Sequence, residues 1–314
     1  MVKSLVTGGA GFIGSHLVDR LLELGEEVVV IDDFSLGKEE NLFGHKGNKK
    51  LKIVRKSICD EDIEKLFADV NIVYHLAALP RVQFSIKNPK ETNETNVNGT
   101  LNVLEMCRKA GVKRIVYSAS SSAYGNQDSL PLTESMPPNP MSPYALQKLA
   151  GEYYCKLYYL IHGIETISLR YFNVFGPRQD SAGGYACLIP KSICLTLEGK
   201  SPVIFGDGEQ TRDFTYVKDV VEANILSGKT TNKDAYGKVF NIGNSNNLSV
   251  NQVIKLIIRN KSIQPIYEPP VIEPKDTLAD TSRAKNILRW SPKYSFEKAI
   301  EETIKWFEGR QLVF

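Results

Sequence analysis

Short, mostly apolar runs recur through the first half of the chain, at residues 4–7, 28–32, 52–55, 72–76, 114–118 and 165–170. They lack the polar alternation of a strand with one wet face, so they predict strands of a parallel sheet covered on both sides. Between the first two runs, Ile13, Leu17, Leu21 and Leu24 form one stripe at helical spacing, and Gly25 supplies a C-terminal cap. Segments 96–109 and 144–162 predict further crossover helices. Alternation of strand and helix implies a doubly wound α/β sheet.

After about Asn173 the pattern breaks. Gly176-Pro177, Gly183-Gly184, Gly206-Asp207-Gly208 and the stretch 265–274 punctuate shorter elements. This predicts a first domain of residues 1–173 joined by 214–243. A smaller, interleaved α/β lobe follows, made of 174–213 and 244–314. A helix over 217–226 and a strand over 239–242 return to the first sheet in that division. There is no internal repeat.

Composition narrows the class. The 314 residues are 42% hydrophobic and 24% charged, as in a globular enzyme with a sizeable core. A net charge of +3 offers no basic stripe for nucleic acid, and Lys46-Gly47-Asn48-Lys49-Lys50 reads as a solvated turn. Five cysteines (Cys59, Cys107, Cys155, Cys187, Cys194) form no CxxC and no metal-like spacing with the four histidines. Reduced thiols, no metal and a cytoplasmic location are therefore expected. Met1 leads straight into a strand, which argues against a secretory signal. No apolar run nears the ~20 residues that span a bilayer.

Chemistry enters with two motifs. Gly8, Gly11 and Gly14 follow the first strand and open a helix. Glycine there permits a tight turn and a close backbone approach to a pyrophosphate at the positive helix end. Asp32 ends the second strand, eighteen residues past Gly14. A carboxylate there accepts from both ribose hydroxyls and repels a 2′-phosphate, so NAD is expected over NADP.

The second motif is Tyr144 and Lys148, spaced i,i+4 on one helix face, with Ser120 at a strand end upstream. An ammonium beside a phenol favours the phenolate, which predicts a depressed tyrosine pKa and a general base near neutral pH. In isolation such a pair is more often a surface helix contact; the glycine turn and strand-end serine favour catalysis.

Together these motifs resemble a known family. T-G-G-A-G-F-I-G (7–14), H-L-A-A (75–78), N-V-N-G-T (96–100), S-S-S-A-Y-G (120–125), S-P-Y-A-L-Q-K (142–148), R-Y-F-N (170–173), R-D-F (212–214) and A-D-T-S (279–282) are similar to the extended short-chain dehydrogenase/reductase family. They point to its nucleotide-sugar 4-epimerase branch, which acts on UDP-glucose or UDP-N-acetylglucosamine. The resemblance implies a Rossmann domain and a homodimer built on helices 96–109 and 144–162. It implies NAD contacts from Gly8, Gly11, Phe12, Ile13, Gly14, Asp32, Asp33, Ser57, Ile58, Leu76, Ala77, Ala78, Asn96, Ser118, Tyr144, Lys148 and Tyr171. Catalysis would fall to Ser120, Tyr144 and Lys148. The UDP-sugar would meet Ser120, Ser121, Ser122, Asn173, Cys187, Leu188, Val203, Phe205, Arg212, Glu273 and Thr277.

Within the family the implied reaction is oxidation at the sugar's carbon 4, rotation of the 4-keto sugar, and reduction from the other face. Related 4,6-dehydratases and decarboxylating enzymes carry a carboxylate pair or a glutamate where Ser121, Ser122 and Ala123 stand here. A uronic acid epimerase, a dehydratase and a non-catalytic NAD-binding regulator are the rival readings. Three positions depart from the family pattern. Ser57 replaces an acid near the adenine; a phosphate-gripping arginine is missing near Pro270 and Val271, where Lys275 is the nearby cation; and Leu79-Pro80-Arg81 replaces small residues beside the sugar. Thr277 stands where a bulky residue limits space at the sugar's carbon 2. With Cys187 it implies room for an N-acetyl group. His75 reads as packing beside the cofactor loop, and Tyr153, Tyr154, Tyr158 and Tyr159 as a core or dimer flank.

Overall fold

In the computed structural model, residues 2–181, 187–259, 261–270 and 274–311 are described. The first half runs β1 (Lys3–Thr7), α1 (Phe12–Glu23), β2 (Glu27–Asp32), β3 (Leu51–Arg55) and β4 (Ile72–His75). There follow α2 (Val82–Lys87), α3 (Pro89–Asn93), α4 (Thr100–Ala110), β5 (Arg114–Ser120), α5 (Pro143–His162) and β6 (Glu165–Tyr171). Then come β7 (Asn173–Phe175), α6 (Leu188–Leu197), β8 (Val203–Phe205), β9 (Thr211–Tyr216), α7 (Val217–Lys229) and β10 (Lys238–Ile242). The chain ends with β11 (Asn247–Ser249), α8 (Val250–Ile258), β12 (Ile266–Glu268) and α9 (Phe296–Gln311).

Seven strands form one parallel sheet in the order β3-β2-β1-β4-β5-β6-β10. This is the doubly wound Rossmann arrangement. Strand order reverses between β1 and β4, which opens a crevice at their carboxyl ends. Apolar side chains on both faces explain the unalternating strands: one core holds Val6, Val30, Val116 and Leu169, the other Leu5, Ile31, Val73 and Ile115. Strand β10 lies beside β6, and α7 packs against α1. Trp290 is buried in the same core, its indole N–H donating to the Asp219 carbonyl at 2.9 Å.

Two expectations shift. Leu24 caps α1 and is 39% exposed, so the buried stripe ends at Leu21. The helix expected over 96–109 begins as a π-helical turn, Glu94–Gly99, before α4 takes over. Such turns let a helix place one side chain off the regular spiral, and here that turn contains Asn96.

The remaining elements form a third core. Strands β11, β9 and β7 make one small sheet, and β12 and β8 pair beside it. Phe175, Phe214 and Phe296 stack at 5.1–6.4 Å between them, backed by Ile254 of α8 and Ile300 of α9. Burying each such ring contributes about 1.5–3 kcal/mol. Strand β7 follows β6 after one residue and pairs with β9, Asn173 opposite Phe214. The small sheet thereby hangs directly over the crevice end of the large one.

Candidate active site

A cleft of about 340 Å³ runs along the carboxyl ends of β1, β2, β4 and β5. Its floor is the β1–α1 turn. Gly8 has φ +71°, a conformation that disfavours side chains, and a Cβ there would sit 2.8 Å from the Ala77 nitrogen. At Gly14 a Cβ would sit 2.1 Å from the Gly8 carbonyl, so glycine is what allows α1 to close onto the strand. Gly11 precedes the first helical residue; a Cβ there would meet only the Gly8 oxygen, at 3.2 Å, and otherwise open space. Helix α1 has no side-chain N-cap and no acid in its first turn. Its leading N–H groups and positive end thus face the cleft uncompensated, which suits a pyrophosphate.

Asp32 anchors the far end. Its Oδ2 accepts from the Ala10 N–H and its Oδ1 from the Phe34 N–H, both at 2.8 Å. Gly37 packs so closely that a Cβ would lie 2.6 Å from Oδ1. Burial pushes the Asp32 carboxyl up from its ordinary value, against the pull of those two N–H groups. Each oxygen keeps a lone pair for a ribose hydroxyl. These features fit a dinucleotide with a free 2′-hydroxyl.

The proposed acid–base groups stand on the opposite wall. Pro143 starts α5 at its first turn, capped by the Ser142 hydroxyl, which accepts from the Ala145 N–H at 3.1 Å. Tyr144 and Lys148 follow one turn apart and both line the cleft. Ser120 is near enough to the Tyr144 phenol to lower its pKa, and the Ser85 hydroxyl accepts from the Tyr144 backbone N–H at 3.1 Å. Ser120 Oγ also meets the Ser122 hydroxyl at 2.8 Å. The Tyr144 pKa departs from expectation. Burial pushes the phenol up to about 12, only partly offset by Ser120, and the neighbouring Cys187 adds to the rise. Burial also brings Lys148 down to about 8. Desolvation therefore dominates both groups and moves each toward its neutral form.

Of the sequence-derived cofactor residues, Phe12, Ile13, Asp33, Ile58, Leu76, Ala77, Ala78, Ser118 and Tyr171 also line the cleft. Ser118 donates to the Tyr171 hydroxyl at 3.0 Å, and Asn224 holds that hydroxyl from behind at 2.8 Å. Two residues are placed differently. Asn96 is 1% exposed and clamps the Leu79 backbone, Oδ1 accepting its N–H at 2.8 Å and Nδ2 donating to its carbonyl at 3.1 Å. It shapes the wall without lining it. Ser57 turns away, its hydroxyl accepting from the Cys59 N–H at 3.1 Å, while Lys56 and Ile58 face in. His75 is buried between the Thr7 and Thr100 hydroxyls, at 2.7 and 3.0 Å, and burial lowers its pKa to about 3, so it is a neutral packing group.

Of the residues expected to meet the sugar nucleotide, Cys187 lines the same cleft. Leu188 begins α6 and packs into the third core. Asn173 is exposed at the start of β7; Ser121 and Ser122 form a 3-10 turn with Ala123 and Tyr124. Val203 and Phe205 lie on β8, with Phe205 39% exposed. Arg212 is 7% exposed, and its guanidinium donates to the Thr211 and Lys275 carbonyls, each at 2.8 Å. That fixes the 275–277 segment, where the Thr277 hydroxyl accepts from the Asp213 N–H at 3.3 Å. Glu273 lies outside the described residues.

A charged rim that no sequence motif announces borders the cleft. Asp180 meets Arg81 at 2.5 Å and Lys38 at 3.4 Å, and all three line the cleft. One carboxylate from the segment after β7 thus ties together the loops after β2 and β4. Arg178, also lining the cleft, pairs with Asp19 at 2.8 Å and has φ 65°. The Gly176-Pro177 break was the available signal.

Residues 4–243 match the NAD dependent epimerase/dehydratase family. A UDP-glucose 4-epimerase of Mycolicibacterium smegmatis is 36% identical over 98% of this chain and 99% of that one. A UDP-N-acetylglucosamine 4-epimerase from Methanobrevibacter ruminantium, solved with UDP-N-acetylmuramic acid, superposes with TM-score 0.94 at 39% identity, covering 98% and 99% of the two chains. A UDP-glucuronic acid 4-epimerase from Bacillus cereus, solved with UDP-glucuronic acid and NAD, gives 0.92 at 36% identity, covering 98% and 100%.

Proposed function

The chain belongs to the NAD-dependent epimerase/dehydratase family of nucleotide-sugar enzymes, and on that premise we propose that it is a UDP-sugar 4-epimerase preferring UDP-N-acetylglucosamine and UDP-N-acetylgalactosamine. UDP-glucose is the secondary substrate. The observation that carries the reading is the turn beyond Ser120. Ser121, Ser122 and Ala123 carry hydroxyls and a methyl there, and no carboxylate for elimination or decarboxylation.

NAD, when bound, supplies the hydride acceptor and donor of a reversible oxidation, together with a positive ring. The chain's own groups manage the proton. Tyr144 takes it from the 4-hydroxyl and returns it, directly or through Ser120, while Lys148 stabilises the phenolate. Gly8, Gly11 and Gly14 hold the pyrophosphate and Asp32 the adenosine ribose. Val203 and Phe205 flank the uracil, Arg212 and Asn173 serve the diphosphate and sugar, and Thr277 with Cys187 leaves room for the acetamido group. Arg81 at the cleft supports one second reading, an acidic sugar such as UDP-glucuronic acid.

The apolar row on α5 supports a homodimer. Leu146, Tyr153, Leu157, Leu160 and Ile161 are each 46–68% exposed on one side of that helix, which packs on α4. A monomer mass by light scattering would count against this assembly. The five cysteines are free, which supports a reducing, cytoplasmic setting. Among the described residues no helix is long and apolar enough to cross a membrane, and no side-chain cluster could hold a metal.

The test is incubation with UDP-N-acetylglucosamine, UDP-glucose or UDP-glucuronic acid without added NAD, followed by proton NMR. The galacto-configured N-acetyl sugar should form fastest, and Tyr144→Phe should form none. A 4-keto-6-deoxy sugar or a pentose product would overturn the reading.

A further inference from the structure

Lys148 is a buried cation whose ammonium makes no direct ion pair among the described residues, although the Glu152 charge reaches it. It is 3% exposed, and among the described residues no carboxylate lies within ion-pair distance of its ammonium. The groups facing it are almost all neutral or committed elsewhere. Glu152, one turn on along α5, gives both oxygens to Arg170 of β6, at 2.8 and 2.7 Å. His75 of β4 is held uncharged by burial, and the Cys155 thiol of α5 is pushed up to about 12. Burial keeps Tyr144 a neutral phenol.

What the ammonium does meet is a ring. Lys148 Nζ lies 4.7 Å from the ring centroid of Tyr117, on β5. An aromatic face attracts a cation, most strongly where water is excluded, and Tyr117 is fully buried. The ring is held on three sides. Its hydroxyl donates to the Lys148 carbonyl at 3.3 Å, it lies 5.6 Å from His75 at 35°, and its phenol oxygen sits where a Cβ on Gly151 would come within 2.2 Å. A glycine inside a 20-residue helix costs ~1 kcal/mol relative to alanine. Here it makes room for this ring.

We propose that Tyr117 is a positioning residue, whose ring face keeps the Lys148 ammonium charged and beside Tyr144. This rests on the reading of Tyr144 and Lys148 as the catalytic pair. It assigns the ring, not the hydroxyl, as the working part.

The experiment compares the full chain with Tyr117→Phe and Tyr117→Leu. Lys148 Nζ is titrated by NMR in 15N-lysine-labelled protein, assigned with Lys148→Arg, and the pH profile of kcat is recorded in parallel. Tyr117→Phe should titrate like the parent. Tyr117→Leu should lower the Lys148 pKa by about one unit from about 8. The alkaline limb of kcat should move down with it. An unchanged Lys148 titration in folded Tyr117→Leu overturns the proposal. Should that variant not fold, pentafluorophenylalanine at 117 keeps the ring's shape and reverses its quadrupole. It should give the same downward shift, and no shift overturns the proposal. If the parent itself turns over no sugar nucleotide, the functional reading fails, while the titration still decides the role of Tyr117.

Discussion

The Arg170 guanidinium grips the Glu152 carboxylate through two hydrogen bonds, at 2.8 and 2.7 Å, one helical turn beyond Lys148. Both side chains are about 95% buried. The Tyr124 ring lies 4.5 Å from the guanidinium carbon on the other side. The pair ties α5 to β6 and commits both Glu152 oxygens to Arg170, so that Glu152 acts on Lys148 through its field and not by contact.

Breaking that pair leaves an uncompensated buried charge. Arg170→Met should cost about 3–5 kcal/mol of stability, measured by urea unfolding. Replacing both partners, Arg170→Met with Glu152→Leu, should recover most of the loss, since neither charge then needs a partner.

Gly14 closes α1 onto the turn that holds the pyrophosphate. Gly14→Ala places a methyl 2.1 Å from the Gly8 carbonyl, so helix and turn must separate. A loss of about 1–3 kcal/mol is expected, together with weaker NAD retention. The checks are thermal unfolding and the absorbance of cofactor released on denaturation.

Acid should destabilise the fold through His75. Its folded pKa, about 3, lies below its ordinary 6.5, so the folded state binds fewer protons than the unfolded. The stability it contributes is complete above pH 6.5 and falls as pH drops toward 3. At pH 5 the loss is about 2 kcal/mol. His16, lowered to about 4 chiefly by burial, acts in the same direction. Denaturation curves at pH 7 and pH 5 should show the difference, and His75→Gln should shrink it.

Thr277→Tyr should restrict the sugar pocket. Turnover of UDP-N-acetylglucosamine should fall roughly tenfold or more relative to UDP-glucose. Equal losses on both substrates would remove Thr277 from the determinants of sugar size.

Much of this architecture is legible in the chain because its causes are local. Parallel strands buried on both faces leave apolar runs such as Val28–Val29–Val30–Ile31, and Gly8 and Gly14 announce the close approach that their missing side chains permit. Desolvation is not local. Spacing alone places Lys148 near Tyr144 and suggests a depressed phenol pKa, yet burial moves both groups the other way. Asn96 misleads for a related reason: its motif marks the right loop, but its amide spends itself on the Leu79 backbone. The rim formed by Lys38, Arg81 and Asp180 leaves no periodic trace, since its members lie 99 and 142 residues apart.

That rim has a consequence for traffic through the cleft. Were a bound dinucleotide to leave past Asp180, it would have to part that carboxylate from Lys38 and Arg81. Release by that route would need three chain segments to part, and dissolved salt, by weakening each attraction, should hasten it. The polypeptide would then work as a sealed redox cell, recharged by its own reaction and indifferent to the nicotinamide balance of its surroundings.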